Sequence, residues 1–110
     1  MTPSEYVALA MRTKNDLGEK NNIAHAAAIL SSESGEIMSE VKRMFEYNIK
    51  EELGDLMWGI ALMCDTLGFT LEEVMTQNIA KLKARYPEGY TDHAAIHRDV
   101  SAEQEAMARN

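Results

Sequence analysis

Apolar residues along this chain recur at intervals of three and four rather than in alternation, the period that gathers them on one face of a helix. Thr2-Pro3-Ser4-Glu5 forms a capping box with proline at the first helical position, and the pattern predicts a helix from there that fades near Leu17-Gly18. A second helix is expected from Ile23 to about Tyr47, after Asn21-Asn22, in a stretch without proline and with Gly35 as its only glycine. Asn48-Ile49-Lys50-Glu51 reads as another capping box, opening a third helix through Trp58 and Leu62 to a glycine stop at Gly68. Thr70-Leu71-Glu72-Glu73 opens a fourth in the same manner, ended by Pro87-Glu88-Gly89. Beyond Gly89 the chain turns polar, with a short helix expected from Ser101-Ala102-Glu103-Gln104 and little to anchor the last residues. No alternating β-branched run, solenoid-period repeat or low-complexity segment interrupts this pattern. The expected fold is all-α, a four-helix bundle with a polar C-terminal tail: residues 1–90 form the helical domain and residues 91–110 a tail that docks on a neighbouring subunit.

With 110 residues, 45% of them apolar, the chain fills one modest core, and association with copies of itself is the natural way to complete it. A homodimer or homotetramer is expected. The net charge of -7, from 18 acidic against 11 basic residues, excludes general binding to a nucleic-acid polymer, which relies on Lys and Arg neutralising phosphates. No segment approaches the roughly 18 apolar residues that span a bilayer, and the N-terminal residues carry no basic-then-apolar signal. Neither a membrane nor an export route is implied, and the cytoplasm is the expected location. Cys64, the lone cysteine, lies in Ile60-Ala61-Leu62-Met63-Cys64 and reads as a small buried hydrophobe, while the eight methionines read as flexible core filler.

The acidic residues are the informative ones. Glu33 and Glu36 are three apart on helix two, among Ile29, Leu30 and Ile37, so they interrupt a stripe that should face the core. Glu52 and Asp55 repeat the spacing on helix three, followed by Trp58, Gly59 and Leu62. Buried carboxylates cost several kcal/mol each unless a positive group pairs with them. Four that converge without His or Cys make a hard, oxygen-only donor set suited to Mg²⁺ or Mn²⁺. Glu40, Glu46, Glu72 and Glu73 are read instead as a solvated face or ion pairs.

These blocks resemble the MazG-like nucleoside triphosphate pyrophosphohydrolases. The likeness rests on Ser32-Glu33-Ser34-Gly35-Glu36, on Glu51-Glu52-Leu53-Gly54-Asp55-Leu56-Met57-Trp58, and on Leu67-Gly68-Phe69-Thr70-Leu71-Glu72-Glu73-Val74. Asn78-Ile79-Ala80-Lys81-Leu82-Lys83-Ala84-Arg85-Tyr86-Pro87-Glu88-Gly89-Tyr90 adds a likeness to the short single-domain members often found in phages, which would place the protein in a host cytoplasm. The resemblance covers about residues 2 to 99. It implies hydrolysis of a (deoxy)nucleoside triphosphate to the monophosphate and pyrophosphate, with Glu33, Glu36, Glu52 and Asp55 as ligands to Mg²⁺, two or more ions per site, Mn²⁺ substituting. Many members carry two consecutive acids where this chain has Ser32-Glu33, so Glu33 alone is taken as the ligand there. Where short members often carry a tyrosine after the tryptophan, this chain has Gly59; the space so left points to a purine such as that of dGTP.

A water activated by the metal is the expected nucleophile at the α-phosphorus, with Glu36 the first choice to accept its proton. Lys81 and Arg85, four apart on one face with Asn78 three before Lys81, are the expected grip on the phosphates. Lys83 adds to this basic group, and Tyr86, Trp58 and Gly59 complete the expected substrate-binding set. Lys42 and Arg43 read as a solvated patch, Trp58 reads first as core, and His25 as packed or solvated. A di-iron bundle would need Glu-x-x-His pairs, which this chain lacks, and His97-Arg98-Asp99 matches a kinase tripeptide in a chain too short to be a kinase. A helical oligomer that binds nucleotides without turning them over is the competing reading.

Overall fold

The computed structural model describes residues 1–43 and 46–109, and of Arg43, Glu46 and Tyr47 the backbone alone. Helix two does not run to Tyr47 as expected, because Glu46 and Tyr47 already belong to the next helix, while the expected solvation of Arg43 and Glu46 lies outside the described residues. Six α-helices are described: α1 (Pro3–Ala10), α2 (Glu19–Arg43), α3 (Glu46–Leu67), α4 (Leu71–Arg85), α5 (Asp92–Ile96) and α6 (Val100–Ala108). Among the described residues there is no strand, only an isolated bridge between Pro87 and Gly89, and no helix is long and apolar enough to cross a membrane. The fold is all-α.

Local chemistry explains where these helices begin and end. Thr2 caps α1 as expected, its Oγ1 accepting from the Glu5 N–H at 3.1 Å. The helix stops well before Gly18, tightening into a 3₁₀ turn over Met11–Thr13 in which the Thr13 hydroxyl donates to Ala10 O at 2.7 Å. Gly18, at φ +87°, is the entry to α2 rather than the end of α1. Asn22, nearly fully buried, explains why α2 starts earlier than Ile23: its Oδ1 accepts from Leu17 N–H at 3.0 Å and its Nδ2 donates to Asp16 Oδ1 at 3.0 Å, so the loop folds back on the first turn. Asn48 is likewise inside α3 rather than at its start, donating from Nδ2 to Glu40 Oε2 at 3.2 Å. The stop at Gly68 is found as expected: at φ +79° it lets the N–H groups of Gly68 and Phe69 both return to Cys64 O, at 2.9 and 3.2 Å.

The chain divides into two compact units, Met1–Leu71 and Glu72–Asn110. In the first, α2 and α3 pack antiparallel, because their contacts descend along one helix as they ascend along the other: Glu40 meets Asn48, and Ile29 lies against Gly59. Small side chains make this crossing close. Ala26, Ala61, Leu62 and Cys64 are its buried apolar residues, and Gly59 is buried beside them. A Cβ on Gly59 would stand 2.8 Å from Ile29 Cγ2 and 3.2 Å from Leu30 Cδ2, so the space that the sequence assigned to a purine is filled by two side chains of α2. The methionines depart from expectation too, since Met38, Met57 and Met75 are exposed rather than filling a core.

In the second unit Tyr86–Gly89 turns the chain after α4, Gly89 taking φ +83° and donating its N–H to Tyr86 O at 3.1 Å. Two helices follow where the sequence suggested one. Thr91 caps α5 through Ala94 N–H at 3.0 Å, and Asp99 caps α6 through Ala102 N–H at 3.0 Å. The segment in which the sequence offered little to anchor the last residues is held by Glu103, only 1% exposed, which accepts from Arg85 Nη2 at 2.8 Å and Nε at 3.2 Å and from Arg98 Nη2 at 2.9 Å and Nε at 3.1 Å. The tripeptide His97-Arg98-Asp99 thus has a structural role throughout: His97 stacks on His93 at 4.1 Å, Arg98 grips Glu103, and Asp99 starts α6.

Candidate metal centre

Three of the four expected carboxylates meet. Glu33 from α2 and Glu52 and Asp55 from α3 bring one oxygen each to within 4.8 Å of one another. The three-residue spacing puts Glu52 and Asp55 on adjacent turns of one face of α3, and the antiparallel crossing brings Glu33 opposite them. Glu33 and Glu52 are half-buried and Asp55 is exposed, so the group opens to solvent on the Asp55 side. Glu36 is exposed and stands outside the group of three.

Carboxylates this close repel one another, which favours the protonated form of one of them. Glu52 hydrogen-bonds to Glu33, which requires a proton between them, and that bond, with loss of hydration and the charges of Glu33, Asp55 and Glu40, pushes the Glu52 carboxyl up to about 7. Glu33 Oε2, on the other hand, is buried with no hydrogen-bond partner. A buried carboxylate oxygen without a donor, beside two further acids and no cationic side chain in the group, fits a hard divalent ion held by oxygen ligands.

Sequence reasoning missed two contributors. Glu40, read as solvated or ion-paired, is 8% exposed, and its charge reaches Glu52. Its position two turns beyond Glu33 on α2 was the available signal. Tyr6 of α1 is the other: its hydroxyl lies 3.5 Å from Gly54 O, and burial together with the Asp55 charge pushes its phenol up from the usual range. Nothing in the local sequence around Tyr6 announces this.

The expected substrate-binding residues fare differently. Trp58 is half-buried and packs edge-on against His25 at 5.9 Å; its Nε1–H donates to Thr13 Oγ1 at 2.8 Å and to Ala10 O at 3.3 Å, which ties α1 to α3. Gly59 belongs to the helix crossing described above. In the second unit Asn78 is exposed and Lys81 half-buried, neither with a hydrogen-bond partner among the described residues. Arg85 presents its fork to Glu103 rather than to solvent, and its guanidinium lies 5.8 Å from the Tyr86 ring centre. Glu103 answers with a carboxyl held down to about 2, chiefly by its bonds to Arg98 and Arg85. A groove of about 480 Å³ runs along α4 past Met75, Ile79 and Lys83, and none of the carboxylates lines it.

No curated protein and no solved structure matches the chain significantly. The family description "MazG nucleotide pyrophosphohydrolase domain" matches residues 22–90, a span that contains Glu33, Glu36, Glu52 and Asp55. With the greater part of its length matched, and with acids gathered from the same two helices that the resemblance singled out, the chain belongs to the MazG nucleotide pyrophosphohydrolase family.

Proposed function

We propose that this protein hydrolyses a nucleoside triphosphate to the monophosphate and pyrophosphate, with Mg²⁺ held by Glu33, Glu52 and Asp55 and completed by Glu36. The family match supports nucleotide pyrophosphohydrolase activity in general. The observation that carries the metal reading is the buried, partnerless Glu33 Oε2 inside a group of three carboxylates. Bound Mg²⁺, two or more ions per site with Mn²⁺ as substitute, would supply Lewis acidity toward the phosphate oxygens and make a neighbouring water more acidic.

The protein's own groups divide the remaining work. Water attacks the α-phosphorus, the bond from that phosphorus to the bridging oxygen breaks, and pyrophosphate leaves with the electron pair. Glu36, exposed and one turn from Glu33, is our first choice to take the water's proton. Lys81, Lys83 and Asn78 are the candidates for the outer phosphates; Arg85 is left out of that grip because its guanidinium fork is already engaged by the buried Glu103. The proposal extends to the triphosphate and not to the base, since the purine reading rested on Gly59. We also read the chain as a cytoplasmic homo-oligomer, supported by the exposure of Leu53 and Met57 on α3, Met38 and Val41 on α2, and Met75 and Ile79 on α4.

Pyrophosphate release measured with Mg²⁺ across dGTP, dATP, dCTP, dTTP, dUTP and GTP tests the reading. At least one substrate should turn over, and Glu33→Ala and Asp55→Ala should each abolish turnover. Near-normal activity in either variant would sink the metal site, and nucleotide binding without release would favour the non-catalytic reading.

A further inference from the structure

We propose that His93 and His97 form a second metal site, a two-imidazole chelate at the end of α5 for a borderline divalent ion such as Zn²⁺, Ni²⁺ or Cu²⁺. It uses none of the carboxylates discussed above and does not rest on the proposed reaction.

The two histidines are four apart, and His97 closes α5 as its C-terminal cap, so both side chains leave the same face of one turn. Histidines at this separation on a helix can hold one ion together. Here the rings stack, with centres 4.1 Å apart and planes inclined by 19°, and both residues are exposed. Nitrogens bound to one ion at about 2.0–2.1 Å stand roughly 3 Å apart when they are neighbours in its shell. From ring centres at 4.1 Å, small turns of two exposed side chains bring one nitrogen of each to that span.

A hydrogen bond selects the donor atom. His97 Nδ1 lies 3.0 Å from His93 O. A carbonyl oxygen can only accept, so in the neutral ring Nδ1 carries the proton and Nε2 keeps its lone pair. Metal-binding imidazoles are ordinarily held in this way, one nitrogen donating to a carbonyl while the other faces the ion. The same carbonyl accepts the His97 backbone N–H at 2.8 Å, which fixes the turn beneath the ring. Neither His97 Nε2 nor the His93 ring has a hydrogen-bond partner among the described residues.

The donor type then selects the ion. Imidazole nitrogen suits Zn²⁺, Ni²⁺ and Cu²⁺, whereas Mg²⁺ keeps to oxygen. Among the described residues no third His, Cys, Asp or Glu reaches the pair, so water completes the shell. The ion would clip the last turn of α5 immediately before Arg98, which grips Glu103, and Asp99, which starts α6.

Ni²⁺ titrated by calorimetry into the untagged full chain, with Mg²⁺ in excess to occupy the carboxylates, tests the site. His93→Gln and His97→Gln each keep a polar side chain and remove one donor. Each should weaken Ni²⁺ about 100-fold, the order gained by joining two weak contacts on one frame. Asp55→Ala should keep the wild-type affinity. Electron paramagnetic resonance of Cu²⁺ on the wild type should show coupling to two imidazole nitrogens, a readout that needs no variant to fold. Midpoints in EDTA should stay with the wild type, since both rings are exposed. Unchanged Ni²⁺ affinity in either glutamine variant, coupling to a single nitrogen, or loss of binding in Asp55→Ala would each overturn the proposal. So would a fall in midpoint that accounts for the lost affinity, or a wild type that binds Ni²⁺ no better than one imidazole does, which would leave the pair as a stack alone.

Discussion

Replacing Gly59 by alanine puts the α2–α3 crossing to a direct test. The added methyl would lie 2.8 Å from Ile29 Cγ2 and 3.4 Å from Ile29 Cβ, where carbon atoms prefer roughly 3.5–4.0 Å. Ile29 is β-branched on a helix, so it has essentially one χ1 rotamer and cannot swing aside; the helices must part instead. Overpacking of this kind costs about 1–3 kcal/mol, against a gain of about 1 kcal/mol from alanine's better helix propensity. The net expectation is a loss of about 1 kcal/mol, which for a chain of this size lowers the thermal midpoint by about 4–8 °C. Circular dichroism during heating, at fixed protein and EDTA concentration, measures it. The same substitution in an Ile29→Leu background, which lacks Cγ2, should cost clearly less. An unchanged or raised midpoint for Gly59→Ala alone would refute the close crossing and return Gly59 to the lining of an open site.

Other outcomes follow from the ionised groups and from α1. Glu52 has its carboxyl raised to about 7 from the usual 4.5, so the folded state holds the extra proton, and in EDTA this contribution is full below 4.5 and lost as pH rises through 7. The thermal midpoint of the wild type minus that of Glu52→Gln should therefore fall between pH 4.5 and 7, and Mg²⁺ should flatten that slope; a flat difference in EDTA would contradict the shared proton. Glu103 is shifted the other way, so its contribution is present above 4.5 and lost as pH falls through about 2. Glu103→Gln should lower the midpoint at pH 7, with the gap to wild type shrinking as the solution is acidified towards 2; an equal gap at both ends would contradict the arginine clamp. Thr13→Val removes the acceptor for Trp58 Nε1, leaving the longer bond to Ala10 O, and should cost about 1 kcal/mol in urea unfolding; no loss would mean that this tie is not maintained.

How far the sequence was legible depended on the range of the interaction. The cap at Thr2 and the stop at Gly68 are satisfied by atoms a few residues away, and both were readable. Asn48 read as a cap because that is the common local use of asparagine, and Asn22 read as lying just before a helix. Asn22 instead ties to Asp16 and Leu17, and Asn48 to Glu40. The meeting of Glu33, Glu52 and Asp55 could be anticipated because acids at helical spacing broke two apolar stripes. Glu103 could not, since its partners Arg85 and Arg98 are set by tertiary folding and its own surroundings in sequence are polar. Gly59 misled for a related reason: an absent side chain looks the same in sequence whether it makes room for a ligand or for a neighbouring helix.

The family match runs from residue 22 to residue 90, and α1 and α6 both fall outside it. One brings Tyr6 and Thr13 to α3, and the other brings Glu103 to Arg85. The shared span thus contributes the carboxylates, while the terminal segments act as adjustable fittings, one beside the carboxylate centre and one at the end of α4. Relatives with different termini could keep the same acids and differ in heat tolerance. Chimaeras exchanging only those ends would show how much of that tolerance travels with them.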